Sequence, residues 1–189
     1  MRKAVTCASR PWMMRTVCFS EFTHVNTESN KPQMVDVSNK AVTSRIAHAR
    51  CYVDLPPSVI SKLQTEANTK ELFSKKGPIF TTAIIGGVMA AKKTSDLIPF
   101  CHPIPLDGCD ISVVFDDIRV NSLRIDCIVS TESKTGVEME AFVGATNSAL
   151  CVYDMCKAIS HDIKITDIQL VKKTGGKNDY NMPQSDPVS

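Results

Sequence analysis

KTGVEMEAFVGATNSALCVYDMCKA, residues 134–158, decides how the rest of the chain is read. From Val137 roughly 19 residues run with no proline and only one glycine, Gly144, which is long for a strand and ordinary for a helix. Phe142, Val143, Ala145, Ala149, Leu150, Val152, Tyr153, Cys156 and, just beyond, Ile159 recur around it, as expected of a largely buried helix. Into that apolar run are set Glu138, Glu140, Asp154 and Lys157. Charges taken out of water must be paired or functional, so these four need an explanation.

Working outward, Ile111–Phe115 and Leu123–Val129 read as two antiparallel strands. The second alternates Leu123, Ile125, Cys127 and Val129 against Arg124, Asp126 and Ile128, and residues 116–122 supply the connection. Further upstream, a turn at Lys75-Lys76-Gly77-Pro78 opens a helix from about Ile79 to Thr94, whose Gly86-Gly87 pair predicts close packing against another element. Ala49–Leu55 reads as the first strand, followed by a short helix from Pro56-Pro57 to about Ala67. Downstream, Ile163–Val171 is a weaker strand, with Ile163, Ile165, Asp167, Gln169 and Val171 on one face and Lys164, Thr166, Ile168 and Leu170 on the other. The order predicts an α+β fold, a ferredoxin-like β-α-β-β-α-β sandwich with an antiparallel sheet and helices on one face.

The ends read differently. Before Glu21 there is no acid, but Arg2, Lys3, Arg10 and Arg15 are present, a composition that predicts an organelle transit peptide addressed to the mitochondrial matrix. If these residues are a plain extension instead, the protein stays in the cytoplasm. NTESNKPQ, residues 26–33, reads as a linker, so residues 1–33 form presequence and linker and the domain spans 34–177. Lys172–Ser189 is Gly-rich, polar and punctuated by proline, which predicts mobility, with residues 178–189 as a flexible tail.

Composition narrows the class. At 189 residues, 43% hydrophobic and 22% charged, the chain is long enough for one domain with a substantial core. A net charge of +2 gives no reason to expect nucleic-acid binding, and no apolar run approaches the roughly 18–20 residues of a membrane span. The eight cysteines lack metal-ligand spacing and read as reduced, packed thiols. Cys151 and Cys156, five apart, point about 140° away from each other on a helix.

Four places carry residues the fold alone does not require. DLIPFCHPIP, residues 96–105, encloses Cys101-His102 between prolines, and such a rigid loop presents an imidazole with little entropy loss. Glu138 and Glu140 occupy a first helical turn, where the helix dipole alone would favour them. Asp154 and Lys157 share a helical face; exposed, the pair would be worth a few tenths of a kcal/mol, whereas in apolar surroundings desolvation would bring the amine toward neutrality for proton transfer. Lys75-Lys76-Gly77 and residues 172–177, KKTGGK, combine lysines with glycines, as phosphate-binding segments do, although solvated charge explains each run alone. Neither matches a Walker-type phosphate loop.

Glu140 and Asp154 lie about 21 Å apart if the helix is continuous. Glu140, Asn147, Asp154 and His161, seven apart, fall close to one stripe. Both ends cannot act on one atom. Either they serve different parts of a long ligand, or one site takes its parts from two copies of the chain.

MVDVSNK (34–40), DLIPFCHP (96–103), KTGVEMEA (134–141), YDMCKA (153–158) and KTGGK (173–177) together resemble the MoaC family, the cyclic pyranopterin monophosphate synthases of molybdenum cofactor biosynthesis. The resemblance covers residues 34–177 in order. It implies a ferredoxin-like subunit in a homohexamer, a trimer of dimers with sites at the dimer interface. It implies a reaction as well: a cyclic GTP-derived triphosphate, made by the radical GTP cyclase of the pathway, is rearranged to cyclic pyranopterin monophosphate with release of diphosphate. No redox cofactor is required, and Mg²⁺ is expected at most as a companion of the diphosphate. Residue by residue, the resemblance assigns Asp154, Lys157 and Lys76 to catalysis. It assigns Phe100, Cys101, His102, Met139, Glu140, Glu138, Arg45 and Lys173 to substrate binding, the basic ones being suited to a triphosphate. Pro78 and Ile79 in KKGPIF depart from the family pattern.

Two rivals are open to the same fold. An RNA-recognition module needs exposed aromatics on its central strands, and Ile111–Phe115 offers one and Leu123–Val129 none. A regulatory domain would bind a nucleotide without changing it.

Overall fold

The computed structural model describes residues 25–26, 31–65 and 71–183. The chain divides into two units, Met1–Val35 and Asp36–Ser189. In the first, Val25–Asn26 pairs antiparallel with Lys31–Pro32. The transit-peptide reading of residues 1–24 lies outside the described residues.

The second unit is built on β1 (Thr43–Asp54), α1 (Ile79–Ala91), β2 (Gly108–Phe115), β3 (Ser122–Ser133), α2 (Glu138–Cys156), β4 (Lys164–Thr174) and a short β5 (Tyr180–Asn181). The sheet order is β5-β4-β1-β3-β2, antiparallel throughout. Without β5 this is the ferredoxin-like arrangement, with both helices on one face.

Period two explains which face they cover. Ala47, Ala49, Cys51 and Val53 of β1 and Leu123, Ile125, Cys127 and Val129 of β3 are all buried beneath the helices. The helices meet them through Ala141, Ala145, Ala149, Val152, Ile79 and Ala83. Burying these side chains stabilises the fold by about 1.5–3 kcal/mol for each Val, Leu or Ile. At Gly87 a Cβ would collide with Ser148, Ile111 and the Gly144 carbonyl, so α1 and α2 approach at backbone distance. The Ser148 hydroxyl donates to Ala83 O at 3.0 Å, and Asn147 Nδ2 donates to Gly86 O at 2.8 Å. Gly86-Gly87 marks the contact that the sequence predicts.

The opposite face is held by charge. His48 Nε2 and Arg50 Nε lie 2.7 and 2.6 Å from Asp126 Oδ1, while Arg124 Nε reaches Oδ2 at 2.9 Å. Burial opposes ionisation of Asp126, but the hydrogen bonds from His48 and Arg50 win, and its pKa falls to about 2. Tyr52, the aromatic of β1, is buried under the Arg119 guanidinium at 3.7 Å, so it offers no stacking platform to a base.

Several expectations need correction. The helix expected from Pro56-Pro57 to Ala67 stops at Ile60, and Gln64–Thr65 is extended. The second helix ends at Ala91, with a separate turn at Thr94–Leu97. In β4 the alternation fails because register shifts opposite His48/Ala49 and Arg50/Tyr52 place Leu170 beside Ala49 and leave Asp167 at φ 49°. Within the segment that starts at Lys172, Lys172 and Lys173 lie in β4, and Asn181 and Tyr180 pair back onto them. His161 falls beyond the end of α2 and does not extend its stripe.

Candidate active site

The C-terminal end of α2 gathers the three residues expected to be catalytic. Lys157 Nζ stands 2.8 Å from Asp154 Oδ1, one helical turn away, and Lys76 Nζ stands 2.8 Å from Asp154 Oδ2. Lys76 also donates to the Asp154 carbonyl at 2.8 Å. It arrives from a hairpin formed by Leu72–Ser74 and Gly77–Pro78, whose turn is closed by Gly77 at φ 111°. A carboxylate at a helix C-terminus meets the negative end of the dipole, and the two ammonium groups compensate it.

The electrostatics choose between the two readings of the Asp154–Lys157 pair. Hydrogen bonds from Lys157 and then Lys76 hold the Asp154 carboxyl down at about 2, and Asp154 in turn raises Lys157 above its ordinary value. All three side chains are about half exposed in the single chain. Desolvation therefore does not bring Lys157 toward neutrality; before anything binds, Lys157 is a protonated acid. Next to Lys76 opens a cavity of about 550 Å³ with Leu63, Phe73, Met155 and Ile159 among its walls.

The other end of α2 holds the second group. Lys173 Nζ in β4 lies 3.1 Å from Glu138 Oε1, and a pocket of about 200 Å³ is lined by both, together with Lys40, Arg45, Gly176 and Lys177. Arg45 Nε is buried without a hydrogen-bond partner among the described residues. Four cations against one carboxylate, with an unspent guanidinium N–H, form a seat for a polyanion. Lys177 ends the KKTGGK run already weighed as a phosphate-binding segment, whereas Lys40 is a lining residue that sequence reasoning missed. Both lie inside the quoted motifs, SNK and TGGK, and that was the available signal.

Glu140 is buried, at 4% exposed, while Met139 beside it is open at 37%. Burial pushes the Glu140 carboxyl up, and the charge of Glu138 adds to this. The Glu140 charge is felt in turn by Cys101, whose thiol is raised first by burial and then by that carboxylate. The prolyl loop thus lies near this end of α2, with Phe100 open at 36% and Cys101 and His102 half-buried. Lys76, Asp154 and Lys157 form one cluster, and Arg45, Glu138 and Lys173 form another. α2 is continuous from Glu138 to Cys156, so about 21 Å of helix separates Glu140 from Asp154. Among the described residues no group of three or more His, Cys, Asp or Glu could hold a metal ion.

Comparison with known proteins decides what this arrangement belongs to. The sequence profile of the MoaC family matches residues 34–176. The chain belongs to the MoaC family. It is 47% identical over 171 residues to molybdenum cofactor biosynthesis protein 1 of Dictyostelium discoideum, covering 84% of this chain and 27% of that protein. It is 48% identical over 162 residues to the molybdenum cofactor biosynthesis bifunctional protein of Synechocystis, covering 85% of this chain and 45% of the relative. Cyclic pyranopterin monophosphate synthase of Xanthomonas campestris is 46% identical over 160 residues, which cover 85% of this chain and 93% of that enzyme. The chain therefore spans less than half of the first two relatives and nearly all of the third. Both ends of α2, the hairpin carrying Lys76 and the basic pocket apart from its edge at Lys177 lie within the MoaC match.

Proposed function

We propose that residues 34–177 act as a cyclic pyranopterin monophosphate synthase, converting 3′,8-cyclo-7,8-dihydroguanosine 5′-triphosphate to cyclic pyranopterin monophosphate with release of diphosphate. The observation that carries this is the Lys76–Asp154–Lys157 cluster, two ammonium groups fixed by one carboxylate at 2.8 Å each. Such a pair can deliver a proton to a ring nitrogen or oxygen as a bond opens and recover it as the ring recloses. The basic pocket around Arg45, Lys40, Lys173 and Lys177 suits the phosphates, and charge developing on the leaving diphosphate is offset there. Phe100, Cys101, His102, Met139 and Glu140 supply the remaining contacts to substrate. Mg²⁺, where present, would be held by the phosphates of the substrate and would offset their charge.

A complete site takes its two clusters from neighbouring chains of a homohexamer built as a trimer of dimers. Two features support this reading: the separation along α2, and the exposed apolar side chains Ile85, Met89 and Leu150 on the outer surface of α1 and α2, between the clusters. Laid antiparallel across a twofold axis, two copies of α2 would bring each Asp154 toward the partner copy's Glu140. The substrate is the product of the radical GTP cyclase of the pathway, and the basic, acid-poor N-terminus addresses the protein to the mitochondrial matrix.

Incubation of the protein with the cyclic triphosphate, with diphosphate and pterin products measured, tests the activity. Equimolar diphosphate and a phosphorus-containing pterin are expected. Recovery of unchanged triphosphate would favour the rival, a nucleotide-sensing domain.

A further inference from the structure

Glu71 performs a task that the sequence of α1 leaves undone. α1 starts at Ile79 behind Pro78, with no side-chain cap and no acid in its first turn. The second and third N–H groups of a helix ordinarily donate to a Ser, Thr, Asp or Asn side chain at the cap. Here Phe80 N donates to Glu71 Oε1 at 2.7 Å and Thr81 N donates to Oε2 at 2.9 Å. The Thr81 hydroxyl adds a bond to Oε2 at 2.8 Å, and Leu72 N adds one to Oε1 at 2.9 Å. Burial works against the charge of Glu71, but the hydrogen bonds from Phe80 and Thr81 outweigh it and its pKa is lowered, so the carboxylate is anionic at neutral pH.

What lies between Glu71 and α1 is the hairpin that carries Lys76. Glu71 joins its first strand to the helix that follows its second, and so closes the open end. At the other end Lys76 N donates to Ser74 Oγ at 3.1 Å beside the turn at Gly77. The hairpin is thus tied at both ends, and from there Lys76 Nζ reaches both Asp154 Oδ2 and Asp154 O at 2.8 Å.

We infer that Glu71 is a positioning residue for the reaction: it caps α1 from outside the helix in place of Pro78 and thereby holds the Lys76 hairpin against Asp154. The inference rests on the role of Lys76 proposed above. A displacement of about 1 Å in a reacting group is enough to cost as much as a hundredfold in rate.

The test is a kinetic rescue. Glu71→Ala is expected to lower kcat about tenfold or more while KM changes less than about threefold. Pro78 has the extended backbone of a cap residue, φ −68° and ψ 127°, so aspartate fits there and can take the Phe80 and Thr81 N–H groups. The double variant Glu71→Ala/Pro78→Asp is expected to regain kcat to within about threefold of the parent. On a Lys76→Ala background, Glu71→Ala should leave the residual rate unchanged. Full kcat in Glu71→Ala, or a loss that Pro78→Asp does not restore, would overturn the inference. If Glu71→Ala does not fold, Glu71→Gln replaces it, and an unchanged kcat in that variant overturns the inference equally. A fully active Lys157→Ala would sink the proposed function itself; an inactive Lys157→Ala beside a fully active Glu71→Ala sinks only the role of Glu71.

Discussion

Asp154 Oδ1 lies 2.8 Å from Lys157 Nζ, one turn apart at the C-terminal end of α2, and each holds the other in its charged form. The carboxylate stays ionised down to about pH 2, and the amine stays protonated beyond its ordinary 10.5. Lys157→Ala is expected to lower kcat by at least about a hundredfold with the assembly intact. Asp154→Asn removes what raises Lys157, so the Lys157 pKa should fall, as NMR of the labelled amine would report. A Lys157 pKa that does not move would disprove the coupling.

The pH dependence follows from the same signs. A raised amine keeps its proton as pH rises, so Lys157 contributes no loss of kcat/KM near neutral pH. A basic limb near neutrality must then come from another group or from substrate. If Lys157→Arg moved such a limb, Lys157 would be titrating there after all.

Arg45→Ala should act on binding. Its buried Nε has no partner among the described residues, and removing the guanidinium takes away a donor suited to phosphate. We expect KM for the triphosphate to rise about tenfold, and inhibition by added diphosphate to weaken similarly, with a smaller change in kcat. Lys173→Ala should give a smaller effect, since Glu138 already neutralises part of its charge at 3.1 Å. Isothermal titration with diphosphate checks both variants.

Asp126 is a matter of stability. Its pKa is depressed from 3.8 to about 2, so its stabilising contribution is present above pH 4 and is lost as pH falls toward 2. That shift corresponds to about 2 kcal/mol. Asp126→Asn should lower the denaturation midpoint at pH 7 and flatten the acid limb of the stability curve. An unchanged acid limb would show that His48, Arg50 and Arg124 do not act through this carboxylate.

Much of this was legible in the sequence, because each central element obeys a single period. β3 alternates cleanly, α2 carries its apolar residues around a continuous helix, and Gly86-Gly87 announced the contact with Asn147 and Ser148. Where two effects competed, the reading failed. In β4 the register shifts re-aim Leu170 and Asp167, and no alternation rule anticipates where a ladder gains a residue. The apolar neighbours of Lys157 in sequence leave two readings open, an exposed pair with Asp154 and a desolvated amine. The Lys157 side chain lies at the rim of the helix end, where water and Asp154 set its proton affinity. Glu71 was invisible for a different reason: its partners, Phe80 and Thr81, are backbone groups beyond an intervening hairpin.

The central claim is that the cluster at Asp154 and the residues at Glu140 serve one site from different chains. Co-expressing Lys157→Ala with Glu140→Ala, each inactive alone, and assaying the mixed assembly tests it most directly. If the two ends of α2 are shared across a twofold axis, random pairing restores about a quarter of the parental sites, and turnover recovers to about that level. If no activity returns although both chains are found in one assembly, each site is built from a single chain and the account is contradicted.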